Sequence, residues 1–133
     1  MDILQVYLCA LGVHWVADFF CQTHEMATKK SVEDRFLLQH VIVYTTVFLV
    51  WYLLMVGIPD IDHLVAYVVI FAGILGVPHF LVDYFTSRLN TLLWVEAKQK
   101  PEMMHWFFVS VGFDQLLHAA HIAWFSALII QMR

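Results

Sequence analysis

The stretch VPHFLVDYFTSR, residues 77–88, places His79 and Asp83 four residues apart inside an otherwise apolar run. Residues at that spacing lie on one face of an α-helix, one turn apart. Because a carboxylate is costly to bury among apolar side chains, its combination with a neighbouring imidazole predicts a polar site inside the protein.

The same pair occurs twice more along the chain. His14 and Asp18 form it in HWVADFF, and Asp114 and His118 form it in reversed order in DQLLH. Scattered polar residues would rarely give one imidazole and one carboxylate, a turn apart, in three separate apolar segments. The pattern therefore predicts a helical scaffold for these groups.

Composition indicates a membrane protein. The chain has 133 residues, of which 62% are hydrophobic and 14% charged, with a mean hydropathy of +0.74. Soluble domains are about half apolar and about one quarter charged. We therefore expect one integral membrane domain over residues 1–133, and the small net charge of -4 gives no reason to expect a nucleic-acid partner.

The predicted fold is all-α, a four-helix transmembrane bundle. Four apolar runs have about the ~20 residues that a spanning helix needs. They cover approximately residues 3–22, 36–58, 64–86 and 103–130. Residues 89–97 have an apolar face and predict a short interfacial helix between spans three and four. Asp60 or Asp62 is expected to cap the third span, and a capping box at residues 31–34 to start the second near Val32.

Basic residues predict the orientation. Six of the seven lie in the first and third connections: Lys29, Lys30, Arg35, Arg88, Lys98 and Lys100. The positive-inside rule makes these connections cytoplasmic and puts both termini outside the cytoplasm, in a bacterial inner membrane. Counting ~1.5 Å per residue along each helix, His40 and the three His/Asp pairs reach a similar depth in the cytoplasmic half.

Three buried aspartates at one level need compensating charge, which a divalent cation supplies. The predicted metal ligands are His14, Asp18, His40, His79, Asp83, Asp114 and His118. This set exceeds the three or four ligands of one zinc ion, so either two ions bind or some members act as acid or base. A His/Asp set without thiolate favours zinc, with manganese or iron as alternatives.

A metal ion with an open position activates water, which makes hydrolysis the natural reaction. The general base would be an aspartate that does not bind metal, Asp18 or Asp114. Gln22 and Gln115 would orient ligands or substrate, and His121 would hydrogen-bond a ligand or be an eighth ligand itself. The expected substrate is a lipid or another amphiphile that enters from the surrounding membrane lipids, with residues 89–97 as a lid. The sequence leaves the oligomeric state open.

Two alternatives remain at this point. The histidines and aspartates could pair with one another as structural links between helices, or line a metal or proton conduit in a non-enzymatic protein that acts in phage or host physiology. The nearly apolar outer halves of the spans favour a closed site, and the aspartates argue against haem. His24, His63 and His105 are expected outside the site, and Cys9 and Cys21 are expected to be buried free thiols.

Four motifs in order resemble one family. HWVADFFCQTH, LLQHVIVYT, HFLVDYFTSRL and FDQLLH resemble the small bacterial and phage membrane proteins grouped as domain of unknown function 3307, over almost the whole chain. The resemblance implies the signature positions His14, Asp18, Gln22, His40, His79, Asp83, Asp114, Gln115 and His118, and it implies no activity. The His/Asp pattern is more weakly similar to families of membrane-bound metal-dependent hydrolases.

Overall fold

The computed structural model describes residues 2–131, and all regular secondary structure in that range is helical. The α-helices are α1 (Ile3–Trp15), α2 (His24–Lys29), α3 (Asp34–Val56), α4 (Ile61–Phe71), α5 (Val77–Gln99) and α6 (Met103–Gln131). Two turns of π-helix extend them: Val16–Phe20 continues α1, and Ala72–Gly76 joins α4 to α5.

Four helical segments are long and apolar enough to cross a membrane, which confirms the predicted fold class. They are Ile3–Phe20, Asp34–Val56, Ile61–Gln99 and Met103–Gln131. Within the bundle, α5 packs most extensively on α6, while α3 contacts α1, α4 and α5. The short connection at residues 57–60 makes α3 and α4 neighbours, as expected.

The outer surface of the bundle is apolar. In the most apolar window of each span, only 22–33% of the residues are buried. Large side chains point outward along the spans, among them Phe20, Leu54 and Leu116. An apolar surface of this extent is unfavourable in water, whereas lipid solvates it. The exterior therefore supports a transmembrane bundle.

Local signals explain where several helices begin and end. Asp2 and Gln5 form a capping box at the start of α1, with the Gln5 N–H donating to Asp2 Oδ1 at 2.9 Å. Asp60 caps α4 by accepting the His63 N–H at 3.1 Å, which confirms one of the two predicted caps. Gly57, with φ of 91°, ends α3 in a conformation that favours glycine.

The predicted interfacial helix is not a separate element. Residues 89–97 are helical, but they continue α5 without interruption to Gln99. Arg88, in the predicted third connection, lies within this helix; its guanidinium lies over the Tyr84 ring at 3.7 Å and binds Asp34 at the start of α3. The role of residues 89–97 as a lid stays a prediction.

The capping box predicted at residues 31–34 is not formed. Helix α3 begins at Asp34, two residues from the predicted start near Val32, and its N-cap is Glu33, whose carboxylate binds Arg35 at 2.8 Å and makes no side-chain cap. The polar connection contains the short helix α2, capped by Thr23.

The two cysteines are free, as expected, but neither is fully buried: Cys9 is exposed and Cys21 is half-buried. Apolar faces of a membrane helix can point outward into lipid, so an apolar run does not by itself predict burial inside the protein.

Candidate metal centre

Irregular turns position the first part of the site. Asp18 lies in the π-helical turn that ends the first span, and His79 is the third residue after the turn at Ala72–Gly76. Pro78 has no N–H, so the carbonyl of Ile74 has no α-helical donor there. His121 from α6 supplies one, with Nε2 donating to the Ile74 oxygen at 2.7 Å. The distorted helix is thus held by a side chain from a neighbouring span.

One group of four side chains converges from three spans: Asp18, His40, His79 and Asp83. His40 Nε2 lies 2.9 Å from Asp18 Oδ1, 3.1 Å from His79 Nε2 and 3.2 Å from Asp83 Oδ2. His79 Nε2 lies 3.6 Å from Asp18 Oδ1 and 3.8 Å from Asp83 Oδ2. A tetrahedral ion with ~2.0–2.1 Å bonds has edges of about 3.3 Å. Some of the distances between the donor atoms of this group are shorter than that edge length, and others are longer.

A second group shares one member with the first and consists of Asp83, Asp114 and His118. His118 Nε2 lies 3.1 Å from Asp83 Oδ1 and 3.5 Å from Asp114 Oδ1. Asp83 therefore turns Oδ2 toward the first group and Oδ1 toward the second. We call the two groups together the His/Asp cluster; it is buried and could hold a metal ion.

His14 is the one predicted ligand that lies in neither group. Its Nε2 is 4.0 Å from Asp18 Oδ2, and its ring packs beside His118 with centroids 5.3 Å apart. Both ring nitrogens are buried and have no hydrogen-bond partner among the described residues. Its role as a ligand stays a prediction.

The three residues expected to orient ligands have different positions. Gln115 Nε2 donates to Asp114 Oδ2 at 3.0 Å, next to the cluster. The side-chain oxygen of Gln22 is buried without a hydrogen-bond partner in residues 2–131 and lies outside both groups. His121 also lies outside them and binds the Ile74 carbonyl instead, because Pro78 frees that oxygen.

Three residues that the sequence analysis missed contact the cluster. Lys30 Nζ donates to Asp83 Oδ2 at 2.7 Å; it lies in a polar connection, where its charge suggested only orientation. The Tyr44 ring stacks on His79 with centroids 3.7 Å apart, and Thr86 Oγ1 donates to Asp114 Oδ1 at 2.6 Å. Tyr44 and Thr86 could have been found by extending the helical faces of His40 and Asp83.

Histidines predicted outside the site are exposed in the structure. His24 and His105 lie on the surface, and His63 pairs with Asp60 at 2.8 Å at the far end of the bundle. Hydrogen bonds from the backbone and ring of His63 lower the pKa of Asp60. These residues do not contact the cluster.

Comparison with known proteins places the chain in a family. No curated protein and no solved structure shows a significant similarity to it. Residues 3–133 match the family described as "Protein of unknown function (DUF3307)". The match covers nearly the whole chain and agrees with the resemblance of the four motifs. The chain therefore belongs to this family.

Proposed function

We propose that the protein is an intramembrane metal-binding protein in which the His/Asp cluster binds about one or two divalent transition-metal ions. The arrangement of Asp83 carries the proposal. Its two oxygens face two separate sets of nitrogen and oxygen atoms, at 3.2 Å from His40 Nε2 and at 3.1 Å from His118 Nε2. A bridging carboxylate between two ions needs this arrangement. Zinc fits the donor set best, with manganese or iron as alternatives.

The charge balance supports a divalent cation. Asp18, Asp83 and Asp114 contribute three negative charges, and Lys30 contributes one positive charge. With neutral histidines, two negative charges remain uncompensated in the apolar interior. One divalent ion would neutralise them while Lys30 remains on Asp83, and a second divalent ion would more than replace the charge of Lys30 if its ammonium leaves. Ionised carboxylates with neutral imidazoles are the forms that bind metal.

The rival interpretation is that charged histidines pair with the aspartates as structural links. The Nδ1 atoms of His40, His79 and His118 are buried and have no hydrogen-bond partner among the described residues. A charged imidazolium would bury a charged N–H donor there without an acceptor, which costs more than a neutral one. Metal ligation through Nε2 leaves the rings neutral, so the Nδ1–H groups that stay buried without an acceptor carry no charge.

The two groups differ in a way that favours hydrolysis. The first offers four ligands, enough to close a tetrahedral site, whereas the second offers three and leaves a position open for water. An ion there would lower the pKa of bound water and provide hydroxide.

We place this reaction at the cytoplasmic side of a bacterial inner membrane, with both termini on the opposite side and a lipid or another amphiphile as substrate. The basic end of the bundle, which carries Lys30, Arg35 and Lys98, supports this orientation by the positive-inside rule. A conduit is less well supported, because the core beyond the cluster is aromatic: Phe48, Tyr52, Phe71 and Phe125 are buried there.

Metal content tests the proposal. The full chain, purified in detergent without chelator, should hold about one or two transition-metal ions by mass spectrometry. His79→Ala should lose metal, and any metal-dependent hydrolysis of lipid substrates with it. The matched control His63→Ala should keep the metal, because His63 lies at the exposed end. A folded wild-type protein without metal would reject the proposal, and equal loss in both variants would reject the assigned site.

A further inference from the structure

A polar cavity of about 260 Å³ adjoins the cluster at the basic end of the bundle, between α2, α5 and α6. Its polar lining residues are Thr28, Lys30, Ser31, Ser87, Asn90 and Thr91. We call it the Lys30 pocket. Its volume is several times the ~30 Å³ share of one water molecule. The space could hold a small polar group together with its neighbouring carbon atoms.

Unused hydrogen-bonding atoms in this cavity indicate a ligand. Ser87 Oγ and Asn90 Oδ1 are buried and have no hydrogen-bond partner among the described residues. Most buried polar atoms in proteins are satisfied, so two such atoms on residues that line one cavity need an explanation. A ligand oxygen in the cavity would give the Ser87 hydroxyl an acceptor, whereas Asn90 Oδ1 would need an O–H donor from the ligand.

The donors suit a phosphate group. The lining offers one ammonium and the hydroxyls of Ser31, Ser87 and Thr91, which can surround a tetrahedral oxyanion from several directions. The Thr28 hydroxyl already donates to the His24 carbonyl at 2.8 Å. Lysine is a common phosphate ligand, which it binds as a point charge. Trp94 also lines the cavity, and tryptophan is typical of the level where lipid head groups lie.

Lys30 links the cavity to the cluster. Its Nζ donates to Asp83 Oδ2, the same oxygen that faces His40 and His79. An ion bound by that group would take this oxygen, and two cations on one carboxylate oxygen repel each other. Metal binding would thus release the ammonium, which reaches the cavity with its side chain.

We propose that the Lys30 pocket binds the phosphate group of an amphiphilic phosphoester, and that Lys30 exchanges Asp83 for this phosphate when the cluster binds metal. The proposal rests on the metal function and names the polar group of its substrate. Metal and phosphate then bind cooperatively, and by linkage each raises the affinity for the other by the same factor.

The test is calorimetric titration of the full chain in detergent, either metal-loaded and freed of excess ion or stripped with chelator. The probes are dihexanoyl phosphatidic acid and inorganic phosphate. We expect metal loading to tighten phosphatidic acid binding at least tenfold. Lys30→Gln should remove this dependence, while Lys98→Gln, the same charge change outside the pocket, should keep it. Equal affinity for inorganic phosphate would identify free phosphate as the ligand, and binding of phosphatidic acid alone would identify a lipid.

A second variant separates the pocket from folding and from the metal. Ser87→Leu fills the cavity and leaves the Lys30–Asp83 pair intact, so it should abolish phosphate binding at wild-type metal content. Unchanged binding of both probes in Lys30→Gln and Ser87→Leu overturns the pocket, and equal affinity with and without metal overturns the exchange. Binding that needs Lys30 and Ser87 in a protein that never holds metal supports the pocket and rejects the metal function.

Discussion

The two halves of the bundle are built differently. At the basic end, the interior holds the His/Asp cluster, in which charged and imidazole groups from all four spans lie within hydrogen-bonding distance. Toward the other end, the interior is the aromatic core of Phe48, Tyr52, Phe71 and Phe125, whose rings meet edge to face or tilted. The first half depends on compensating charge and the second on packing, so the two should respond to different perturbations.

The largest expected effect is that of Asp83→Asn on the cluster. The change keeps the shape of the side chain but removes the anionic group that both sets of ligands share. Metal affinity should therefore fall more than about 100-fold, because losing a residue that only hydrogen-bonds a metal ligand already costs ~10–100-fold. Metal content by mass spectrometry measures it, with Asp60→Asn as control. If histidines and aspartates only paired, this change would be mild or stabilising, and wild-type metal content would support that.

Metal removal should destabilise the whole bundle next most strongly. An ion present at 100 times its dissociation constant stabilises the folded state by about 2.7 kcal/mol, and its loss leaves the three carboxylates of the cluster with Lys30 alone. Thermal unfolding in detergent should shift down with chelator and recover with added metal. Asp83→Asn protein should not respond. An unchanged wild-type melting curve after verified metal loss would contradict the comparison.

Phe125→Ala tests the aromatic core. Phe125 is fully buried and meets Phe48 and Phe71 edge to face, with centroids 5.7 and 5.4 Å away. We expect a loss of about 2 kcal/mol, below the ~3–5 kcal/mol of soluble cores, because lipid already solvates apolar groups in the unfolded reference. Metal content should stay at the wild-type level, and Phe125→Leu should cost less. Loss of metal would show that the halves are coupled.

His121→Ala should have a smaller effect, near the ~0.6 kcal/mol average for hydrogen bonds between membrane helices. It leaves the Ile74 carbonyl without the donor that Pro78 cannot provide. In Pro78→Ala, the new N–H can replace that donor, so His121→Ala should cost less in that background. A double-mutant cycle of thermal stability measures the coupling; strict additivity, or loss of metal in His121→Ala, would contradict this role.

The smallest effect belongs to the cap of α4, far from the cluster. Hydrogen bonds from His63 lower the pKa of Asp60, so the charged form stabilises the folded state. This contribution is complete above the ordinary aspartate pKa of about 4 and disappears as pH falls through the lowered folded-state value. Asp60→Ala should slightly lower the melting temperature near neutral pH and converge with wild type in acid. A difference that grows as pH falls would contradict the sign.

Much of the architecture follows from the order of residues along the chain. Four runs of ~20 apolar residues can satisfy their backbone only as helices in lipid, so the spans, the Asp60 cap and the helical faces of His79/Asp83 and Asp114/His118 could be predicted. The spacing of four residues likewise indicates that a histidine and an aspartate share a face. These are local properties, set by helical periodicity and by the solvent.

Contacts between helices could not be read from that periodicity, because they depend on rotation, tilt and helix distortion. The sequence offers no sign that Asp83 faces two groups, that Lys30 folds back from a polar connection onto it, or that His14 lies beside the two groups of ligands and in neither of them. The same is true of His121, whose partner is a carbonyl freed by Pro78 on another span. Each of these depends on distances of a few ångströms between segments far apart in the chain, which packing alone sets.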